Sequence, residues 1–129
     1  MLKSDYKKNS TMIQPTDHRA SFLDTSWIDL LRKEGRKANL QGQLTTKQLK
    51  LFYDQGWFKA LVPKIYGGGQ WSLMQVVRFE EAIGWAEGSA GWVFTLCSGA
   101  GWFGGYIDPE FAEKVFKPKK ACLAGSGAL

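Results

Sequence analysis

The 129-residue sequence has few of the side chains that bind metal ions or build disulfide frameworks. It contains two cysteines, Cys97 and Cys122, and a single histidine, His18. A structural zinc site needs about four nitrogen or sulfur ligands, which is more than these three residues offer. We therefore expect no metal site, and we interpret both cysteines as reduced thiols of a cytoplasmic protein.

The sequence also lacks a concentrated block of one charge. Seventeen basic and 12 acidic residues give a formal net charge of +5, and the basic residues are dispersed along the chain. The aromatic residues stand in apolar stretches rather than among the basic ones. Nucleic-acid-binding surfaces need basic residues massed together with exposed aromatics, so we expect no nucleic-acid partner.

Composition predicts one folded domain with a core of large flat side chains. Hydrophobic residues make up 44% of the chain, which includes six tryptophans and eight phenylalanines. Residues 1–24 are polar and lack the apolar segment of a signal peptide, so we interpret them as a leader in which His18 is exposed to solvent. Residues 25–120 carry helical patterns, and residues 121–129 resemble the start of a strand.

Four segments combine helical spacing of apolar residues with a capping residue. The predicted helices cover residues 26–39, 46–55, 72–87 and 108–117. Ser26 caps the first, Thr45 or Thr46 the second, and Ser72 forms a capping box with Gln75 in the third. The fourth begins at Asp108-Pro109. Between the second and third helices, residues 57–63 are predicted to be extended, and Gly67 to Gly69 to form a turn.

Residues 89–107 contain no charged side chain. A helix that is apolar on every side must be buried in protein or in lipid. A membrane span needs about 20 apolar residues, and five glycines dilute the hydrophobicity of this segment. We therefore favour a helix buried at the centre of the domain and expect no membrane contact, with a membrane anchor as the alternative.

Two motifs that could carry chemistry have structural interpretations. The segment from Gly99 to Gly104 matches G-x-G-x-x-G, but no acidic residue follows about 20 positions later, as a dinucleotide site requires. We interpret its glycines as points where helices approach closely. Glu80 and Glu81 point about 100° apart on a helix and cannot share one proton. Glu81 is expected to pair with Arg78, and Glu80 borders the apolar face.

A series of motifs in order resembles the N-terminal helical domain of the acyl-CoA dehydrogenase family. The series covers residues 25–129 and consists of Leu49-x-x-Phe52-x-x-x-Gly56-Trp57-Phe58-x-x-Leu61-Val62-Pro63-x-x-Tyr66-Gly67-Gly68, Phe79-Glu80-Glu81-Ala82-Ile83, Ser89-Ala90-Gly91-Trp92-Val93, Asp108-Pro109-Glu110 and Cys122-Leu123-Ala124-Gly125-Ser126-Gly127. The resemblance implies an all-α helical bundle with a short extended C-terminal tail. It also implies a homo-oligomeric, FAD-dependent oxidoreductase that acts on CH–CH groups of acyl thioesters such as acyl-CoA in fatty-acid metabolism.

A related branch of the family performs flavin-dependent monooxygenation, and the S-A-x-W motif resembles that branch at least as well. That branch often has a histidine in the middle of this helix, where the present sequence has Ala100. A third possibility is a stand-alone helical module for binding or assembly, without catalysis.

The resemblance also implies a division of roles along the chain. The predicted wall of the substrate pocket consists of Trp92, Thr95, Leu96 and Gly99. Ser126 and Gly127 are predicted to approach FAD. No catalytic residue is predicted, because the family places its catalytic carboxylate and nearly all flavin contacts in later domains. Residues 121–129 are interpreted as the start of a truncated β domain, so we expect a fragment that alone is inactive and binds no FAD.

Overall fold

A computed structural model describes residues 18–125. These residues form five α-helices and no strand, which confirms the predicted all-α class. The helices are α1 (Thr25–Gln41), α2 (Thr46–Asp54), α3 (Leu73–Ala86), α4 (Gly88–Gly101) and α5 (Pro109–Phe116). Short 3-10 helices cover Arg19–Phe22, Trp57–Lys59, Lys64–Tyr66 and Trp102–Gly105. The first of these lies within the predicted leader and packs against α3. The predicted boundaries at residues 24 and 120 stay predictions.

Local capping explains where most of these helices begin. Thr45 accepts a hydrogen bond from the Gln48 amide, and the Gln48 side chain accepts one from the Thr45 amide. Ser72 and Gln75 form the same reciprocal pair at the start of α3. Asp108 caps α5 ahead of Pro109. These three helix starts were predicted and are confirmed.

The cap of α1 is Asp24, and the prediction of Ser26 is wrong. The Asp24 carboxylate accepts a hydrogen bond from the Ser26 amide at 2.8 Å. The Ser26 hydroxyl also donates to this carboxylate, and the two hydrogen bonds lower the pKa of Asp24. A carboxylate satisfies a free amide of the first turn as serine would, and its charge also complements the helix dipole.

Residues 57–63 are not extended, contrary to the prediction. Gly56 has φ +70°, in the left-handed region that glycine adopts readily, and the chain continues directly into the 3-10 helix Trp57–Lys59. This compact turn points both Trp57 and Phe58 into the core. The predicted turn at Gly67 to Gly69 follows, and a side chain at Gly68 would meet the Val62 carbonyl oxygen at 2.0 Å. The glycines therefore allow two backbone segments to touch.

Aromatic rings form the centre of the domain, as composition predicted. Trp57 contacts Phe52 and Phe79 with ring centroids 5.0 Å apart in each pair. Phe94 of α4 contacts Phe79 at 4.9 Å. All four side chains are buried. Such contacts add about 0.5–1.5 kcal/mol per pair to the burial of the rings. A smaller cluster contains Val62, Ala112 and Phe116.

The uncharged segment 89–107 is buried on one side only, so the prediction of a helix enclosed on all sides is wrong. The structure divides it into α4 and the 3-10 helix Trp102–Gly105. The α1 and α3 helices and the 3-10 helix Trp57–Lys59 pack against α4, and they cover only the face that contains Phe94. Trp92, on the opposite face, is 65% exposed. No helix within residues 18–125 has the length and apolar character needed to cross a membrane.

The glycines of the G-x-G-x-x-G match serve close packing, as interpreted from the sequence. A side chain at Gly101 would meet Val62 at 2.9 Å, and one at Gly104 would meet the Phe116 ring at 2.8 Å. Gly99, in contrast, has open space beside it.

Candidate functional site

The four predicted wall residues share one outward stripe of α4. Counted from Trp92, the other three residues follow after three, four and seven positions (Thr95, Leu96 and Gly99). This spacing places all four on one side of a helix. Trp92, Thr95 and Leu96 are exposed, and Gly99 is half-buried. The fold therefore brings the four residues together on an accessible surface, which we call the outer face of α4. Their contact with a substrate stays a prediction.

The orientation of this face is set by a tight hairpin between α3 and α4. Glu87 joins the two helices and caps α4, because its carboxylate accepts hydrogen bonds from the amides of Ser89 and Ala90 at 3.1 and 2.7 Å. One turn further, a Cβ atom at Gly91 would lie 2.7 Å from the Gly84 Cα atom. The two glycines let the helix backbones touch and leave no room for α4 to rotate.

Glu80 of α3 lies at the edge of this outer face, next to Thr95. Burial raises the pKa of the Glu80 carboxyl, and a hydrogen bond with the Thr95 hydroxyl partly opposes that rise. The Thr95 hydroxyl also donates to the Gly91 carbonyl oxygen at 3.1 Å. Because a hydroxyl has one hydrogen, Thr95 can donate either to the Gly91 carbonyl oxygen or to the Glu80 carboxylate at one time. Glu80 and Thr95 thus form a polar pair beside apolar side chains.

The predicted pairing of Glu81 with Arg78 is confirmed, whereas the prediction for Glu80 did not include its contact with Thr95. Arg78 donates to Glu81 at 3.1 Å on the exposed side of α3, as predicted. Glu80 was assigned a structural role, and its contact with Thr95 was not predicted. The position of Glu80 at the border of the apolar face was the sequence signal for it.

Further apolar side chains near the end of α4 were not predicted as part of a site. Phe103 and Tyr106 are 64% and 73% exposed, and Trp102 lies 6.2 Å from Tyr106 between ring centroids. On α3, the exposed Leu73 lies at the end of the antiparallel hairpin where α4 finishes. The absence of charge from residues 89–107 was the available signal, but it was interpreted as burial.

The segment after α5 approaches the same end of α4. Leu123 packs with the cluster of Val62 and Phe116, and a Cβ atom at Gly125 would lie 4.0 Å from that of Ala100. The predicted FAD contacts Ser126 and Gly127 lie outside the described residues. Gly125 immediately precedes them in the sequence, so the chain passes beside α4 just before the predicted cofactor contacts.

Two other places lack the features of such a site. A shallow depression beside α1 is lined by polar residues, among them Arg36 and Asn39, together with apolar ones such as Leu40 and Ala86, and it contains none of the predicted wall residues. His18 is exposed, as predicted, although its ring meets the edge of Trp85 at 5.2 Å. Within the described part of the chain, no group of three or more potential metal ligands occurs.

Comparison with known proteins finds one distant relationship. No family model matches the sequence, and no solved structure matches it significantly. The chain is similar to an indole-3-acetate monooxygenase of Acinetobacter baumannii, with 30% identity over an 86-residue alignment that covers 57% of this chain and 22% of that protein. The chain thus spans about a fifth of the relative's length. The similarity supports an oxidoreductase relative and fits the monooxygenase branch, and it does not support acyl-CoA dehydrogenase activity.

Proposed function

We propose that this chain is the N-terminal helical part of a flavin-dependent monooxygenase and that the outer face of α4 forms one wall of its substrate pocket. The observation that carries the proposal is the exposure of Trp92 and Leu96 on one stripe of a helix without a single charge. Exposed apolar surfaces of this kind mark places where a ligand or another protein segment binds.

The side chains on this wall suit a small aromatic substrate. The Trp92 ring offers a flat surface for stacking, and Leu96 extends the apolar contact along the helix. The Glu80 carboxyl can accept a hydrogen bond from a ring N–H, with Thr95 fixing its orientation. The relative is named for indole-3-acetate, which has such a ring and N–H. We therefore favour a nitrogen-containing aromatic compound as the substrate class.

The residues of this chain bind and orient the substrate, and the cofactor supplies the redox chemistry. In its reduced form, a flavin bound beside this wall would supply the two electrons of a monooxygenation, in which one oxygen atom enters the substrate and the other leaves as water. Ser126 and Gly127 would contact the flavin, and the outer face of α4 would exclude water from the reacting groups. The complete enzyme would be a cytoplasmic homo-oligomer in which further segments close the pocket.

Dehydrogenation of an acyl thioester is a second candidate function. The ordered series of acyl-CoA dehydrogenase-like motifs supports it, and so does the elongated shape of the wall. Trp92 and Gly99 are seven positions apart on α4, which corresponds to about 10 Å along a helix axis. An acyl chain could lie along this length. The assay below distinguishes the two functions.

The test uses the protein isolated from its source cells with an antibody against residues 18–125, so that any further segments are retained. One assay supplies reduced flavin, oxygen and indole-3-acetate, and another supplies acyl-CoA with an electron acceptor. We expect loss of indole-3-acetate only. Trp92→Ala should lower kcat/KM about tenfold, because an aromatic contact contributes about 1 kcal/mol or more.

Leu40→Ala is the matched control, since Leu40 is an exposed apolar residue on α1, away from the predicted wall. It should leave kcat/KM unchanged. Turnover of acyl-CoA alone would favour the dehydrogenase. A flavin-free protein that turns over neither compound would favour the helical binding module.

A further inference from the structure

Cys97 and Cys122 are 25 positions apart in the sequence, but their side chains meet in the structure. Cys97 lies on α4 and is half-buried, whereas Cys122 lies in the segment after α5 and is exposed. The Cys97 thiol lies near enough to Cys122 to raise the pKa of the Cys122 thiol. Neither residue belongs to the predicted wall, and both are free cysteines.

Three independent contacts hold the Cys122 segment against the domain. The Lys59 ammonium donates to the Pro118 carbonyl oxygen at 2.7 Å. Leu123 packs against the smaller apolar cluster of Val62, Ala112 and Phe116. Gly125, three positions after Cys122, lies beside Ala100, which is three positions after Cys97. The segment therefore runs along α4 in the same direction as the helix, with Cys122 near Cys97 and Gly125 beside Ala100.

We propose that Cys97 and Cys122 are a redox-active thiol pair that forms a reversible disulfide and fastens residues 118–125 onto α4. A disulfide requires the sulfur atoms to close to about 2.05 Å. Residues 121–125 have no regular secondary structure, so this short segment can supply the remaining movement without distorting α4. The inference does not rest on the proposed enzymatic function.

A hydroperoxide is the oxidant class that this pair would use. The Cys97 sulfur attacks a peroxide oxygen and the O–O bond breaks, which gives a sulfenic acid and, for hydrogen peroxide, one water. The Cys122 sulfur then displaces the sulfenic oxygen, and the Cys122 proton leaves with it as a second water. Two thiols thereby lose two electrons and two protons to one peroxide. A dithiol reductant reverses the step by thiol–disulfide exchange.

The surroundings assign different roles to the two sulfurs. Although Cys122 is exposed as a residue, partial burial of its sulfur and the neighbouring Cys97 raise its pKa to about 12, so Cys122 keeps its proton at neutral pH. A protonated thiol is a poor nucleophile towards peroxide. The proposal assigns the first oxidation to Cys97 and the resolving step to Cys122, and the Cys122→Ser variant tests this order.

The test uses the full 129-residue chain, fully reduced and then treated with hydrogen peroxide. Labelling with N-ethylmaleimide should add two groups to the reduced chain and none to the oxidised chain, with a peptide containing both cysteines found by mass spectrometry. The oxidised chain should unfold about 10 °C higher, since a closed loop of this length restricts the unfolded state. Dithiothreitol should restore both labels and the lower midpoint.

Cys97→Ser and Cys122→Ser are the matched variants, and each should show no peroxide-dependent change in its unfolding midpoint. Cys122 is exposed on an irregular segment, so its replacement leaves the fold intact even if Cys97→Ser weakens it. In Cys122→Ser, peroxide should leave a trappable sulfenic acid on Cys97. Two labels retained after peroxide, or disulfides found only between separate chains, would overturn the proposal.

Discussion

The two faces of α4 contain equally uncharged residues, yet their surroundings are opposite. The inner face is built from small residues around one large ring, with Ala90 and Gly101 buried on either side of Phe94. The outer face carries the large side chains Trp92 and Leu96 and is open to solvent. Small residues let neighbouring elements approach, whereas large ones keep them away. Side-chain size, more than apolar character, therefore distinguishes the packed face from the free face.

The largest expected difference between the faces comes from truncating an aromatic residue on each. Phe94→Ala should lower the free energy of unfolding by about 3–5 kcal/mol, because it leaves a cavity beside Phe79 in the core. Trp92→Ala should change it by about 0.5 kcal/mol or less, as is usual for exposed positions. Urea unfolding of the 129-residue chain measures both values.

Equal losses in the two variants would contradict the contrast. They would show that the outer face is covered in solution. In that case the effect of Trp92→Ala should depend on protein concentration, since a second copy would be the covering surface.

A methyl group added to each face should change the stability in opposite directions. Gly91→Ala places a Cβ atom 2.7 Å from the Gly84 Cα atom, and two backbones in contact cannot move apart without disturbing the hairpin. We expect a loss of about 1–3 kcal/mol. Gly99→Ala meets open space on the outer face and should gain about 0.5–1 kcal/mol from better helix propensity. Thermal unfolding followed by circular dichroism measures both changes, and a gain for Gly91→Ala would show that the helices are not in close contact.

Helix starts were predictable from the sequence because caps are local. Ser72 and Gln75 are three positions apart, and their reciprocal hydrogen bonds need no other part of the chain. The compact turn at Trp57 was missed because it depends on the left-handed conformation of Gly56, which the apolar sequence after it conceals. The open face of α4 was missed because burial depends on how many elements pack against a helix, and that number is a property of the whole fold.

The candidate site divides in the same way. The family resemblance pointed to Trp92, Thr95 and Leu96, and their helical spacing places them on one stripe, as in the structure. The contact between Glu80 and Thr95 required knowledge of how α3 and α4 pair. The meeting of Cys97 with Cys122 required the course of the chain after α5, which no local pattern encodes.

A charge placed on the outer face should weaken self-association of the chain without unfolding it. We expect the exposed apolar side chains to bring copies together at high concentration. Leu96→Asp should raise the dissociation constant about tenfold or more, because a charge buried at an interface loses its hydration. Leu40→Asp on α1 is the control and should leave association unchanged. Sedimentation equilibrium measures both variants, and a wild-type chain that stays monomeric at high concentration would remove the expectation.

The smallest expected effect lies at the border between the faces, where Glu80 is half-buried. Because the folded pKa of Glu80 is raised, mainly by burial, the folded state binds more protons than the unfolded state between the ordinary pKa of 4.5 and the raised one. Stability therefore falls as the pH rises through that interval. Glu80→Gln removes this dependence. The free energy of unfolding of the variant should therefore rise relative to that of the wild type between pH 4 and pH 7. The rise should be small because water screens a half-buried charge. Glu81→Gln, which lies on the exposed side, should show no such gain. Urea unfolding at the two pH values gives the comparison, and a Glu80→Gln variant that tracks the wild type at both would place Glu80 in solvent rather than at the edge of the face.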